Sequence, residues 1–348
     1  MYIKRILILI ALLGLVGMGA FSYFVYTTLL KPNTSFSTKE ASVYIKSDAS
    51  YQNVLNQLEP LLKSIDKFDA SARQKKYSTH VKPGHYVLRK DMNNNEIIAT
   101  LRSKNTPVSV IFNNQDRLSK LAQRIAKQIE ADSTSLMAAM TDNDFLEKEG
   151  FSKETALNIY IPNKYQFYWN TSATAFRDRM LTEYQRFWNT DRQHLAEKIG
   201  LTQNEVQNLA AIVQKETAKP EERARVAGVY INRLKKGMKL EADPTVIYAL
   251  KNKNGVEDTT LIKRVLYKDL EIDSPYNTYR YEGIPPGPIA MPDISSIDAV
   301  LHYEHHDFYF FVADPQRPGY HNFSQNLRQH NRYKQAYINW INKLKINR

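Results

Sequence analysis

Cysteine is absent from the 348 residues. That excludes disulfides, thiolate nucleophiles, Cys-ligated zinc and lipoprotein-type acylation together. It fits an oxidising compartment, where a stray thiol is a liability. Long runs of one charge are missing too. The formal net charge is +12, yet Lys and Arg are scattered, in pairs such as Lys75-Lys76 and Lys235-Lys236. No zinc-finger or RNP-type pattern accompanies them, so no nucleic-acid partner is expected. His305, His306 and His321 have neither H-E-x-x-H nor facial-triad spacing. They read as structural, and no metal or cofactor is called for. Internal repeats and low-complexity tracts are also lacking.

What is present is ample apolar material, 43% of the chain, in a length that suits roughly two domains. The first charges are Lys4 and Arg5 and the next is Lys31. Ile6–Leu30 between them is 25 residues without a charge, and a spanning helix needs about 20. Tyr23, Phe24 and Tyr26 sit near its outer end, where amphipathic rings favour the interface. Gly17, Gly19 and Ala20 offer a signal-peptide cleavage site. However, the apolar run continues about ten residues past Ala20, beyond an ordinary h-region. The expectation is therefore a transmembrane helix over residues 6–30, a cytoplasmic tail over 1–5 and export of the remainder.

Residues 31–40 are polar and contain Pro, Ser and Thr, as a linker would. Residues 41–112 read as a small α/β module. Ser42–Ile45 is strand-like, and Asp48 or Ser50 can cap a helix bearing Tyr51, Val54, Leu55, Leu58 and Leu62 on one face. Lys82-Pro83-Gly84 turns into a strand His85–Leu88; Asn94–Leu101 is a short helix and Val108–Phe112 a closing strand. Residues 113–348 form a larger α+β domain. Leu118, Leu121, Ala122, Ile125 and Ile129 mark one core helix, Ala173–Trp188 another. Phe308–Ala313 reads as a buried strand and Gln325–Leu344 as a closing helix.

Residues 201–250 carry the chemistry. Thr202-Gln203-Asn204-Glu205 has the form of a capping box, with Leu201 and Val206 placed for a hydrophobic staple. The helix that follows buries Val206, Leu209, Ala210 and Val213, with Ile212 beside them. Glu216 lies three residues after Val213, in the last turn before Lys219-Pro220. Burial and the negative end of the helix dipole both disfavour an ionised carboxylate there, which is what a general acid near neutral pH requires. Lys215 and Arg223 could oppose this by pairing with it, and spacing alone leaves open a solvated C-terminal glutamate. The next helix has Pro220 at its first position, Glu221 and Glu222 in its first turn, and Val226, Val229, Tyr230 and Leu234 buried. It stops at Lys235-Lys236-Gly237. Asp243-Pro244 opens a third helix, with Asp243 as N-cap. Ser274–Tyr281 and Gly283–Pro292 are rich in Tyr, Asn and Pro, which suits either a sugar-binding surface or a Pro-stiffened turn.

Leu209–Thr217 (LAAIVQKET), Val226–Leu234 (VAGVYINRL), Gly237–Tyr248 (GMKLEADPTVIY), Ser274–Tyr279 (SPYNTY), Gly283–Ile289 (GIPPGPI) and Phe310–Asp314 (FFVAD) together resemble the endolytic murein transglycosylase, or YceG-like, family. The blocks occur in the family's order and spacing. The apolar helix and the 41–112 module resemble that family's single-pass helix and LysM-like domain. The resemblance implies that Glu216, in the K-E-T triplet, is catalytic. It places Asn232, Asp243, Thr245, Tyr276, Asn277 and Tyr279 around a substrate cleft. Two departures stand out. Gln214 occupies a position often acidic in the family, which leaves Glu216 without a nearby like charge. The Glu-Gly-x-x-Phe-Pro-Asp-Thr-Tyr block is eroded to Asn158–Tyr165, retaining Pro162 and Tyr165.

The implied reaction is endolytic, non-hydrolytic cleavage of the β-1,4 bond between N-acetylmuramic acid and N-acetylglucosamine in nascent strands. Glu216 would protonate the leaving oxygen and then deprotonate the muramyl C6 hydroxyl, closing a 1,6-anhydro ring. Because that nucleophile belongs to the substrate, one carboxylate can do what ordinary glycosidases divide between two. The resemblance also implies strand termination in bacterial cell-wall assembly. It implies an inner-membrane location with the catalytic domain outside the cytoplasm, and peptidoglycan synthases (penicillin-binding proteins) as partners. The rival readings are a hydrolytic muramidase, with Asp243, Asp273 or Glu282 activating water, and a non-catalytic peptidoglycan-binding scaffold.

Overall fold

The uncharged N-terminal stretch is one helix, α1 (Tyr2–Val25), extended by a wider π-type turn over Tyr26–Leu30. A computed structural model describes residues 2–253, 262 and 265–343 of the chain. The most apolar 18-residue window of helix and turn has a mean hydropathy of 2.3, and together they are long and apolar enough to cross a membrane. At the end of the turn Thr28 is buried, and its carbonyl accepts hydrogen bonds from Asn94 Nδ2 (2.6 Å) and Ser71 Oγ (3.2 Å). The stretch expected as a linker is packed rather than free. Asn33 is buried, its Oδ1 accepting from the Ser64 N–H and its Nδ2 donating to Asn94 Oδ1, while Pro32 and Thr34 bridge to Asn93 and Leu62. The Asn33 side chain serves the Ser64 backbone at one helix start and the Asn94 side chain at another, and this is why a polar composition does not mean a free segment.

The chain divides into two units, the first being Met1–Val110 with Ala126–Ala131 and Tyr165–Ser172. It holds β1 (Glu40–Ile45), α2 (Tyr51–Leu58), α3 (Ile65–Gln74), β2 (Gly84–Arg89), α4 (Asn94–Ser103) and most of β3 (Val108–Phe112). β1 and β2 pair antiparallel, Glu40 opposite Arg89 and Ile45 opposite Gly84. Alternation along β1 sends Val43 and Ile45 inward. Ser50 caps α2 through a reciprocal capping box with Asn53, worth about 1 kcal/mol. α3 carries Ile65, Phe68 and Ala72 at helical spacing on one face. It forms because Ser64 caps it and Phe68 and Ala72 complete a core with Val54, Leu58, Tyr86 and Leu88.

The second unit is Ile111–Ile125, Asp132–Lys164 and Ala173–Arg348. Its first elements are α5 (Leu118–Ala126, all but its last residue), α6 (Ser133–Met140), α7 (Asn143–Lys148), α8 (Ala173–Phe187) and α9 (Thr190–Ile199), while of β4 (Asn163–Phe167) only Asn163 and Lys164 belong to it. Then come α10 (Gln203–Glu216), α11 (Pro220–Lys235), α12 (Asp243–Asn252), α13 (Ile294–Leu301), β5 (Phe310–Ala313), β6 (His321–Ser324) and α14 (Leu327–Lys343). α10 is the central rod, packed on α11, α12 and α13, with every residue from Val206 to Val213 buried. Two of these are amides. Gln207 Nε2 donates to the Asn158 carbonyl (3.1 Å), Asn158 Nδ2 to Asn208 Oδ1 (3.0 Å), and Asn208 Nδ2 to the Pro285 carbonyl (3.0 Å). The eroded 158–165 block and the Pro-rich loop are thus both moored to the helix carrying Glu216. At Gly228 a Cβ would collide with the Glu304 carbonyl, so only glycine lets that backbone lie against α11.

β5 and β6 form an antiparallel ribbon, Phe310 opposite Ser324 and Ala313 opposite His321. β5 is shorter than the expected Phe308–Ala313 and half-buried throughout. A two-stranded ribbon has no further sheet to cover it, and part of this one faces a cavity. The expected closing helix ends at Leu344, which lies outside the described residues.

Candidate active site

α10 is started by its capping box. Thr202 Oγ1 accepts from the Glu205 N–H (3.2 Å) and Glu205 Oε2 accepts from the Thr202 N–H (2.8 Å). Fourteen residues later the helix ends on Glu216, because Thr217 turns extended and Pro220 begins α11. The Tyr230 hydroxyl, from the buried face of α11, donates to Glu216 Oε1 at 2.8 Å. One carboxyl oxygen is therefore fixed and the other is left for chemistry. The cavity in front of it has a volume of about 230 Å³, with Tyr230, Asp243, Tyr279, Phe310 and Phe311 among its walls.

Glu216 keeps some solvent contact through this cavity, but protein encloses its carboxyl. Burial pushes its pKa up to about 7, the Tyr230 hydrogen bond works against the rise, and the Asp243 carboxylate adds to it. Glu216 thus does have a nearby like charge. It comes from Asp243, on a different element, and not from position 214, as the absence of an acid there suggested. Gln214 acts as a tie between helices. Its Oε1 accepts from the Asp293 N–H and the Ser296 hydroxyl, joining the end of α10 to the start of α13. Neither proposed cationic partner neutralises the site. Lys215 is exposed, and Arg223 turns to Ser295 Oγ at 2.9 Å and Asp293 at 3.8 Å.

Asp243 is not the N-cap of α12. Ala242 holds that position, with no side-chain cap. The Asp243 carboxylate is turned instead to the Tyr279 hydroxyl, which donates to Oδ1 at 2.6 Å. A buried pair of threonines aligns the two segments. Thr245 Oγ1 lies 2.9 Å from Thr278 Oγ1 and donates to the Ala242 carbonyl (2.7 Å), while Thr278 Oγ1 accepts from the Ala242 N–H (3.0 Å). Between Leu240 and Asp243 the chain passes through Glu241 with φ +53°, a conformation that non-glycine residues seldom adopt. Arg233 holds this turn by donating to the Leu240 carbonyl (2.7 Å) and Glu241 Oε2 (2.8 Å).

Of the expected site residues, Glu216, Asp243 and Tyr279 meet at the cavity. The others stand behind it. Asn277 is fully buried; its Nδ2 donates to the Leu270 and Ile272 carbonyls (2.8 and 2.9 Å) and its Oδ1 accepts from the Tyr279 N–H (3.0 Å). Thr245 is buried in the threonine pair. Asn232 Nδ2 donates to the carbonyls of His306 (2.7 Å) and Phe308 (3.1 Å), fastening the approach to β5. Tyr276 rests its ring on Tyr248, centroids 4.6 Å apart. Asp273 and Glu282 do not line the cavity. Sequence reasoning passed over Tyr230, Arg233, Glu241, Tyr309, Phe310, Phe311 and His330, all of which do. For Tyr230 the signal was a hydroxyl on a core stripe, which must find a partner when buried. His330 carried no such signal.

A larger cavity of about 560 Å³ lies elsewhere in this unit, lined by Glu149, Gln185, Gln193, Glu197 and Asn204 among others. Among the described residues no cluster of His, Asp and Glu is arranged to hold a metal ion.

Residues 43–336 match the YceG-like family. The chain is 30% identical over 342 residues to the endolytic murein transglycosylase of Bacillus subtilis, covering 92% of this chain and 90% of that one. It is 27% identical to the endolytic murein transglycosylase of Streptococcus pneumoniae, covering 97% of this chain and 65% of the relative. A crystal structure of a yceG-like protein from Listeria monocytogenes superposes with a TM-score of 0.55 at 26% identity, over 85% of this chain and 99% of that one.

Proposed function

The chain belongs to the YceG-like family, and from that premise and the geometry around Glu216 we propose that it is an endolytic lytic transglycosylase of peptidoglycan. The observation that carries the reading is Glu216 itself. It is a single carboxyl with a pKa near 7, pinned through one oxygen by Tyr230 in a cavity walled by aromatic rings. At neutral pH such a group is part protonated and part ionised, so it can donate a proton in one step and accept one in the next. Protonated Glu216 gives its proton to the glycosidic oxygen between N-acetylmuramic acid and N-acetylglucosamine as the C1–O bond breaks. The resulting carboxylate takes the proton of the muramyl C6 hydroxyl, whose oxygen bonds to C1 and leaves a 1,6-anhydro end. Asp243, kept beside Glu216 by Tyr279, holds negative charge where the oxocarbenium-like centre develops. Asn232, Thr245, Tyr276 and Asn277 support the cleft without touching the glycan.

Asp243 also keeps hydrolysis as the second reading, since a second carboxylate in one cavity is the arrangement that activates water in glycosidases. α1 would anchor the enzyme in the inner membrane, with the N-terminus in the cytoplasm and the catalytic unit outside. A LysM-like role for the first unit, an association with peptidoglycan synthases and the termination of nascent strands belong to the same proposal. Glu216→Gln tests it. Turnover of purified glycan strands should fall by about 10²–10⁴-fold or more, and activity within about threefold of wild type would refute the assignment.

A further inference from the structure

Lys215 precedes Glu216 and Pro244 follows Asp243. The two backbone segments that wall the Glu216 cavity therefore also wall a second one, of about 170 Å³. Pro244, Ile247, Tyr248 and Ile289 give it an apolar surface; Arg117, Lys215 and Lys251 bring three cations against the one carboxylate of Asp116. Arg117 is held in place by donating to the Lys251 carbonyl at 3.3 Å. An apolar pocket with an excess of cations accepts an aliphatic chain that ends in a carboxylate.

We infer that this second cavity binds the acidic peptide substituent of the substrate, the stem peptide attached through the lactyl ether of the muramyl residue. The inference rests on the glycan-cleaving reading above. The sugar rings themselves are neutral, so the negative charge of the substrate resides in that peptide. It branches from the same muramyl ring whose C1–O bond is cut at Glu216. A peptide leaving that ring must run along a wall adjoining the Glu216 cavity, and the Lys215–Glu216 and Asp243–Pro244 segments adjoin both. Binding there also supplies register: the stem peptide marks which side of the scissile bond carries muramic acid, a distinction the alternating glycan backbone makes only weakly.

The test uses the full-length protein in detergent and two substrates: glycan strands bearing stem peptides, and the same strands after an amidase has removed them and the lactyl carboxylates it frees have been capped as neutral amides. Wild type should show a kcat/KM about tenfold higher on stem-bearing strands, and added salt should reduce that preference. Lys251→Glu should lower the ratio about threefold or more, and Lys251→Gln by less; unchanged thermal unfolding of both variants shows that they are folded. Equal kcat/KM of wild type on both substrates, or an undiminished ratio in folded Lys251→Glu, overturns the inference and leaves glycan cleavage standing. Cleavage of neither substrate overturns the glycan-cleaving reading and this inference with it.

Discussion

Glu216→Gln separates the burial of this side chain from its catalytic use, because the two have opposite signatures. In the folded chain the carboxyl titrates at about 7, against 4.5 in its ordinary state. The folded state therefore binds the proton more tightly than the unfolded one. The wild type is stabilised below the unfolded value and loses stability as pH rises through the folded one. A shift of this size corresponds to about 3 kcal/mol at roughly 1.4 kcal/mol per unit. That is an upper figure, because the residue keeps some solvent contact. Gln has nearly the same shape, its carbonyl oxygen can accept the Tyr230 hydroxyl, and it never ionises. The variant should exceed wild type by less than about 1 kcal/mol at pH 5 and by about 2–3 kcal/mol at pH 8. In a unit of this size the latter raises the melting temperature by about 5–10 °C. Thermal unfolding of both proteins at the two pH values, beside turnover at pH 7, reads both signatures. A variant equal to or less stable than wild type at pH 8, or a difference independent of pH, would refute the burial argument.

Tyr230→Phe removes a hydrogen bond that favours ionised Glu216. The alkaline limb of the kcat/KM profile should move up by about one pH unit, and an unmoved limb would contradict the role given to this hydroxyl. Asn277→Ala strips three hydrogen bonds of a buried side chain from the Ser274–Tyr279 loop. Calorimetry should show a loss of about 2–4 kcal/mol, with activity per folded molecule within about threefold of wild type; a large activity loss at unchanged stability would put Asn277 on the substrate instead. Full-length protein should stay with membranes through high-salt and alkaline washes, and a chain beginning at Tyr26 should be soluble. One beginning at Lys31 should be less stable by about 1–3 kcal/mol, because Ser71 and Asn94 lose the Thr28 carbonyl as acceptor; equal stability would show that this tether contributes nothing.

Local signals wrote out the rod that carries Glu216. The capping box at Thr202, the apolar run to Val213 and the Pro220 start of α11 are all short-range, and each names its own position. Burial on one helix face also anticipated the direction of the Glu216 pKa. Tertiary facts escaped. Asp243-Pro244 has the form of a cap followed by a first-turn proline. Its carboxylate is drawn off by Tyr279, 36 residues away, so Ala242 caps instead. The same displacement supplies the like charge that position 214 does not. Asn277 and Tyr279 share one loop and one chemistry, yet one faces inward and the other the cavity, and only the backbone path between Ser274 and Tyr281 decides which. The 31–40 segment looked free because its polar groups read as solvated, when Asn33 is buried against the helix starts at Ser64 and Asn94.

The central claim is that Glu216 cuts by intramolecular transfer to the muramyl C6 hydroxyl and not by transfer to water. Glycan strands digested by the wild-type protein in oxygen-18-labelled water, followed by mass spectrometry of the muropeptides, test this directly. The account predicts new muramyl ends lighter by one water than reducing ends and free of the label. Glu216→Gln should produce none of them. Labelled reducing ends from the wild type would contradict it and assign Asp243 the activation of water.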